Sequence, residues 1–329
     1  MITLVTGATG YIGTALVLTL AKQGKKVRAL IRSHSRCEAM RNHPHIEFVK
    51  GDLTDAKSLS EAIKGCDEIY HLAAFAGIWT KDPKKYHNVN VAGTEKLLSA
   101  AIKARVKKII ITSTAGVMGP CMDNSNPVTE HTTLHPPLFS RYDRSKYETE
   151  KAAFSFLEMG IDVVIVNPSR IYGPGLKGVS NSVSKLIDLF NQGKWRFIPG
   201  NGSSQGNYVY IDDVVSGHIL AMQKGISGER YILGGENMSY NDFFSLLNKI
   251  TKRHQKLFKV PKIVLLLWSY FEVLLANVFG KNPMVVPAFV HKLSHNWKLS
   301  SEKAIRELGY RPTDLETGLK KTLAWINHE

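Results

Sequence analysis

Cysteine is scarce in this chain: Cys37, Cys66 and Cys121 stand far apart among 329 residues, and no CxxC pair occurs. That usage excludes a disulfide framework and a cysteine-based zinc site, predicts no metal centre, and points to a reducing compartment. Acid is also short, 28 aspartates and glutamates against 43 lysines and arginines, for a formal net charge of +15. Such a surplus suits either a polyanionic partner or a solvated basic exterior around a phosphate-binding site. The cations are scattered in clusters as short as Lys84-Lys85 and Lys107-Lys108, and no basic run is interleaved with stacking aromatics. No nucleic-acid partner is therefore expected. The first apolar run starts at residue 2, which leaves no room for a leader peptide, and the expected location is the cytoplasm. The 43% hydrophobic content fits a well-buried soluble core.

What is present begins at once. MITLVTGATGYIG, residues 1–13, reads as an apolar strand, a turn carrying Gly7, Gly10 and Gly13, and the opening of a helix. In a G-x-x-G-x-x-G turn the first glycine permits the tight bend and the second lets the backbone approach a pyrophosphate. The third lets helix and strand pack closely, and the helix N-terminus supplies free N–H groups and a positive dipole end. Glycine triplets also occur in purely structural turns, so the context decides. Ile2–Val5 before the turn and Ala15–Ala21 after it are the strand and helix that a dinucleotide site requires.

Up to about residue 170, short apolar runs alternate with amphipathic stretches. The runs are Ile2–Val5, Val27–Ile31, Ile46–Val49, Glu68–Leu72, Lys108–Thr112 and Val163–Val166; helical patterns cover Thr14–Lys22, Ser58–Lys64, Asn88–Lys103 and Ser145–Leu157. Six strands in this rhythm predict an α/β fold, a doubly wound parallel (Rossmann) sheet with its ligand over the strands' carboxyl ends. Beyond Pro168 the rhythm breaks, and Gly, Pro and Asn cluster at 173–181 and 199–207. The expected organisation is a nucleotide-binding domain over 1–170, with returning segments near 205–225. A smaller, mostly helical substrate region over 171–329 is interleaved with it.

The segment Ile263–Gly280, IVLLLWSYFEVLLANVFG, is apolar apart from Ser269, Glu272 and Asn277, with lysines on both flanks. It is marginal in length for a membrane span and carries a carboxylate near its centre. The expectation is a sheltered helix that walls the substrate pocket. The lesser alternative is an interfacial helix, for which Trp268 and the basic flanks suit an anionic membrane surface.

Tyr142 and Lys146 form a Tyr-x-x-x-Lys at a helix start. Residues four apart share a helical face, so the ammonium is expected beside the phenol, where it would lower the phenol's pKa and make Tyr142 a usable general acid or base. The spacing is common by chance and gains weight from its place after the fifth strand. That strand ends in Thr112-Ser113-Thr114-Ala115-Gly116, and hydroxyls there could stabilise charge on a substrate carbonyl oxygen or merely cap a turn.

Taken together, these residues resemble the extended short-chain dehydrogenase/reductases. The resemblance rests on TGATGYIG at 6–13, Asp52-Leu53, His71-Leu72-Ala73-Ala74, Asn90-Val91-Ala92-Gly93-Thr94, Tyr142 with Lys146, and Pro168-Ser169-Arg170-Ile171-Tyr172-Gly173-Pro174-Gly175. Tyr210-Ile211-Asp212-Asp213-Val214 and Glu307-Leu308-Gly309-Tyr310-Arg311-Pro312 extend it nearly to the C-terminus. It implies Thr114 as the catalytic hydroxyl (with Ser113 as the alternative), Tyr142 as proton donor or acceptor, and Lys146 as the residue that binds the nicotinamide ribose and tunes Tyr142. It further implies a cofactor held by Gly7, Thr9, Gly10, Tyr11, Ile12, Gly13, Asp52, Leu53, Leu72, Ala73, Ala74, Thr112, Tyr142, Lys146, Pro168 and Arg170, and a homodimer. NAD-preferring relatives end the second strand on an acid; here Ile31 and then Arg32 stand there, with Arg36 near, so NADP(H) is expected.

Within the family, the chain is similar to dihydroflavonol-4-reductase-like and 3β-hydroxysteroid-dehydrogenase-like members. That implies an NADPH-dependent reductase of a small, apolar ketone. A nucleotide-sugar epimerase with tightly held cofactor is the alternative, and a non-enzymatic NADP-binding or redox-sensing protein the third reading. Nucleotide-sugar dehydratases usually carry Thr-Asp-Glu where this chain has Thr114-Ala115-Gly116, which argues against dehydration.

Overall fold

Runs such as Lys108–Thr112 (KIIIT) are rich in β-branched residues and buried on both faces, the signature of a parallel sheet covered by helices. The computed structural model describes residues 1–33, 37–122, 126–132, 138–176 and 178–328. The chain begins with β1 (Ile2–Thr6), α1 (Tyr11–Lys22), β2 (Lys26–Ile31), β3 (Ile46–Lys50), α2 (Ala56–Ile63) and β4 (Glu68–His71). The short α3 (Lys84–Tyr86) runs through a π-helical turn at His87–Val91 into α4 (Ala92–Lys103), and β5 (Lys108–Thr112), α5 (Arg141–Ser155) and β6 (Asp162–Pro168) follow. Then come β7 (Arg170–Tyr172), α6 (Ser182–Asn191), β8 (Phe197–Pro199), β9 (Gln205–Tyr210), α7 (Ile211–Lys224) and β10 (Arg230–Leu233). The chain closes with β11 (Glu236–Ser239), α8 (Tyr240–Thr251), β12 (Phe258–Val260), α9 (Lys262–Phe279), α10 (Pro287–Leu293) and α11 (Leu315–His328).

The main sheet is parallel throughout, in the order β10-β6-β5-β4-β1-β2-β3. It has seven strands where six were expected. The seventh, β10, comes from beyond the point where the strand rhythm ends and pairs Arg230 with Ile165 of β6. The strand order reverses between β1 and β4, the switch point where an open α/β sheet leaves a crevice at its carboxyl edge. Leu16, Val17 and Leu20 of α1 and Val215 and Met222 of α7 cover one face, and Leu59 of α2, Leu97 of α4 and Ala153 of α5 the other. A third core joins α6, α8 and α11 through Phe190, Phe243, Phe244 and Leu319 to Tyr11 at the start of α1, so the second lobe rests against the glycine turn. The three cysteines are buried in three separate clusters.

The expectation of a sheltered helix over 263–280 is not met. In α9 only Ser269 and Ala276 are buried, while Leu267, Tyr270, Phe271 and Phe279 are each more than half exposed. The helix rests on the protein through Ser269 and Ala276 with Leu265, Leu266, Val273 and Leu275 half-buried beside them, and turns its aromatic rings and Leu267 and Leu274 outward, so it is not a sheltered pocket wall.

Candidate active site

The crevice starts at the glycine turn. Gly7 adopts a left-handed φ of +67°, and a Cβ on it would lie 2.7 Å from the Ala73 backbone nitrogen, so β1 and the loop after β4 touch backbone to backbone. A Cβ on Gly13 would run into the Gly7 carbonyl, which fixes how closely α1 lies on the turn. Gly10 is the N-cap of α1, its N–H donating to the Gly7 carbonyl at 2.9 Å, and no side chain caps the helix. The first-turn N–H groups of Tyr11, Ile12 and Gly13 have no intrahelical acceptor and face the crevice mouth beside half-buried Thr9. A Cβ on Gly10 would meet only the Gly7 oxygen, at 3.1 Å, so space beyond it is open. An uncapped helix end over an open cradle fits a pyrophosphate. The Tyr11 side chain turns away: its ring is buried and its hydroxyl donates to Gly173 O at 2.9 Å, pinning the turn to the second lobe.

Along β2, Ile31 is buried and Arg32 is exposed at the strand's carboxyl end; Arg36 lies outside the described residues. Asp52 follows β3, half-buried. Burial would push its carboxyl up, but hydrogen bonds from the Thr54 N–H and hydroxyl, with the nearby Arg32 and Lys96 cations, carry it below the usual carboxylate range. Leu53 is buried under Gly93 of α4. Leu72, Ala73 and Ala74, all half-buried, form the crevice wall after β4.

Thr114 follows β5 at the crevice floor. Its Oγ1 accepts the Gly116 N–H at 3.1 Å and caps the turn Ala115–Val117, which leaves its own O–H proton free to donate. Ser113 is buried beside Glu150, so of the two hydroxyls Thr114 is the one that faces outward. A side chain on Gly116 would collide with the Asp143 carboxylate, which shows how tightly the Thr114 turn abuts the start of α5. There Ser140 and Asp143 form a capping box: Ser140 Oγ accepts the Asp143 N–H at 3.0 Å and Asp143 Oδ2 accepts the Ser140 N–H at 3.2 Å. Asp143 Oδ1 accepts from Lys292 Nζ of α10 at 2.6 Å. Tyr142 and Lys146, one turn apart on α5, therefore stand on a helix fixed at its first residue and abutting the Thr114 turn.

Lys146 is 2% exposed. Burial lowers its pKa to about 8 against the pull of Glu150 one turn further on. Glu150 is buried too; desolvation raises its carboxyl, opposed by Ser113, by Asn167 Nδ2 donating at 2.7 Å, and by Arg230 at 3.5 Å. For Tyr142 the expected effect is reversed. Burial, reinforced by the Asp143 charge, pushes the phenol above its usual range. Burial thus favours the protonated phenol at Tyr142.

Sequence reasoning quoted the Asn90 motif but gave that residue no role. Its side chain accepts the Phe75 N–H at 2.7 Å and donates to Ser145 Oγ at 2.9 Å, while its carbonyl accepts from Thr149 at 3.0 Å, so it ties the loop after β4 to α5. His71 lies beneath, with Nδ1 at 2.7 Å from Thr6 and Nε2 at 2.9 Å from Thr94. Thr94 already donates to Asn90 O, so Nε2 carries the proton and the ring is neutral. Burial, then Lys146, pushes His71 down to about 3. Thr112 points to the far face and bonds His218 Nε2 at 2.8 Å. Pro168 closes β6. Arg170 donates to the Tyr240 hydroxyl at 2.8 Å and lies over the Tyr208 and Tyr240 rings, so its guanidinium serves the second lobe. Asp143, Glu150 and Lys292 had no sequence signal beyond their charge, since each gains meaning from a distant partner. Among the described residues no cluster of three metal-ligating side chains occurs.

Comparison with known proteins places this geometry. The model of the NAD dependent epimerase/dehydratase family matches residues 3–234. A Synechocystis sp. protein named for dihydroflavonol 4-reductase is 32% identical over 98% of this chain and 94% of its own. The Candida albicans decarboxylating sterol-4-alpha-carboxylate 3-dehydrogenase is 30% identical over 86% of this chain and 84% of its own. The crystal structure of Bacillus cereus UDP-glucuronic acid 4-epimerase, solved with UDP-glucuronic acid and NAD, superposes with a TM-score of 0.80 at 26% identity, covering 100% of this chain and 99% of that one. Reductases, sterol dehydrogenases and epimerases are thus all relatives, and with its glycine turn and its switch-point crevice the chain belongs to the NAD(P)-dependent epimerase/dehydratase family, the extended short-chain dehydrogenase/reductases.

Proposed function

We propose that the protein is an NADP(H)-dependent oxidoreductase that reduces the ketone of a small, apolar substrate. The observation that supports this reading is the Thr114 hydroxyl, whose acceptor side is occupied by Gly116, on a turn packed against Asp143 at the start of α5, next in sequence to Tyr142, whose phenol is pushed by burial toward the protonated form. When bound, NADPH would be the source of the hydride for the carbonyl carbon. Thr114 donates a hydrogen bond to the carbonyl oxygen, and Tyr142 passes that oxygen its phenolic proton as negative charge grows there. Lys146 holds positive charge nearby, buried where it acts at low dielectric. The absence of an acid at the end of β2, with Arg32 exposed there, supports a 2′-phosphate over a free ribose hydroxyl. The names of the flavonol and sterol relatives support a fused-ring, apolar ketone.

Loss of NADPH absorbance across a panel of ring ketones tests the activity, with stoichiometric oxidation expected for at least one sterol- or flavonoid-like member. Conversion of a nucleotide sugar with no net change in cofactor would replace this reading with epimerisation. For the cofactor, Arg32→Ala should weaken NADP(H) by about tenfold, at the modest end for an exposed charge-assisted bond, and leave NAD(H) unchanged. Equal affinities of the unaltered protein for both cofactors in calorimetry would sink the NADP assignment.

A further inference from the structure

Helix α9 is built inside out for a protein in water. Its buried positions are Ser269 and Ala276, flanked by half-buried Leu265, Leu266, Glu272, Val273 and Leu275, while Ile263, Leu267, Tyr270, Phe271, Leu274 and Phe279 are each more than half exposed. The apolar surface continues beyond the helix onto Phe258 of β12 and Phe197 of β8, which pair in register, and onto Met284. We propose that α9 docks the protein on the surface of a membrane rich in anionic lipid, lying in the interfacial plane with its large side chains among the acyl chains.

Charge selects lipid over a second copy of the chain. Lys252, Arg253, Lys256, Lys259, Lys262 and Lys281 are exposed on both flanks of the helix, and Glu272 is the one acid between 252 and 281. A twofold contact of this patch with itself would set six cations against six, whereas anionic headgroups neutralise them. Trp268 and Tyr270 are the amphipathic rings that suit the headgroup boundary.

The tethers of α9 exclude a crossing, although at 18 residues it is long enough. β12 enters it from the pair with β8. At its far end Gly280 turns the chain with φ +70°, and Glu272 Oε2 accepts the Met284 N–H at 2.8 Å, folding the segment back along the helix. α10 is then fastened to the same body by buried Val290 and by the Lys292–Asp143 pair. Both ends of α9 stay on one side. That last pair also puts the docking helix one short element away from Tyr142, and Phe139, just before α5, lies 4.8 Å from His295 ring to ring. If the reductase reading holds, a ketone dissolved in the bilayer has a short route to the crevice. The docking itself does not depend on that reading.

The test is flotation of the full chain with vesicles of phosphatidylcholine containing phosphatidylserine, a binding readout that needs neither cofactor nor substrate. The protein should float with the vesicles at low salt, with a partition coefficient about tenfold lower at high salt as the cations are screened. The triple variant Leu267→Ser, Phe271→Ser, Leu274→Ser should lose roughly a hundredfold while keeping its melting temperature. Failure of the unaltered protein to float would overturn the proposal, as would equal flotation of the triple variant. Equal binding to pure phosphatidylcholine would overturn the anionic-lipid assignment. A concentration-dependent dimer in vesicle-free solution, abolished by the triple variant, would give the patch to a second copy instead.

Discussion

Two helices of this protein reverse the usual rule of inside and outside. α5, RYDRSKYETEKAAFS, is crowded with charge, yet Asp143, Ser145, Lys146, Thr149 and Glu150 are buried. α9, KIVLLLWSYFEVLLANVF, is almost wholly apolar, yet most of it is exposed. The difference lies in partners. Four of these five meet a charge or hydrogen-bonding group brought from elsewhere in the chain: Lys292 for Asp143, Asn90 for Ser145 and Thr149, Asn167 and Arg230 for Glu150. Among the described residues, the outward face of α9 meets no comparable cover. Burying charge is costly unless it is paired, and large apolar area is costly in water unless it is covered, so each inversion marks a place where something besides folding is served.

The largest effect should come from the buried helix. Tyr142→Phe removes the donated proton and keeps the ring, so turnover should fall by roughly 10²–10⁴-fold while cofactor affinity holds. Near-normal turnover would mean that α5 buries its charges for stability alone. Next, Lys292→Met leaves the Asp143 carboxylate buried against Ser140 only, and unfolding by urea should show a loss of about 3 kcal/mol, the low end for a broken buried pair because the lysine is partly solvated. A change well under about 1 kcal/mol would place that pair with ordinary surface bridges.

The contrast also shows what could be read without a structure. The glycine turn and Tyr142-x-x-x-Lys146 were legible because their meaning is local: a bend, a helix start, a four-residue spacing. β10 was not, since RYIL is four residues long and is a strand by virtue of pairing with β6, some sixty-five positions earlier. Tyr11 and Arg170 fell among the implied cofactor contacts by motif, but their side chains answer to Gly173 and Tyr240. For α9, hydropathy reports how apolar a helix is and not what it faces, so the same eighteen residues favoured a pocket wall over the exposed face that the structure shows. The inward Ser269 and Ala276 and the outward aromatics settle that only once neighbours are known.

A smaller effect sharpens the comparison through pH. His71 and His218 lie behind the crevice floor as neutral rings, pushed by burial to about 3 and about 4 from 6.5. Below 6.5 the unfolded chain takes up protons that the folded chain refuses, so stability should fall with pH from there down to the folded values. Glu150, raised by burial, works in the opposite direction and trims the loss. Denaturation midpoints at pH 7 and about pH 5.5 should differ by about 2 kcal/mol in stability. A flat profile would mean that these rings are charged or solvated, and that the interior behind α5 is wetter than its hydrogen bonds imply.

The smallest effect belongs to α9, and its smallness is what tests the contrast. Replacing Leu267 and Phe271 by serine deletes two large side chains, a change that in a packed core costs several kcal/mol through lost transfer energy and a cavity. Here the same atoms already face solvent, so folding removes little of their surface from water and leaves no cavity to form. Serine lowers helix propensity slightly, and the apolar surface it removes is largely exposed in the folded and unfolded chain alike, so it adds little. The double variant should therefore unfold within about 0.5 kcal/mol of the parent in vesicle-free buffer. A loss of about 2 kcal/mol or more would show that these side chains are covered in solution, and the opposition between the two helices would be lost.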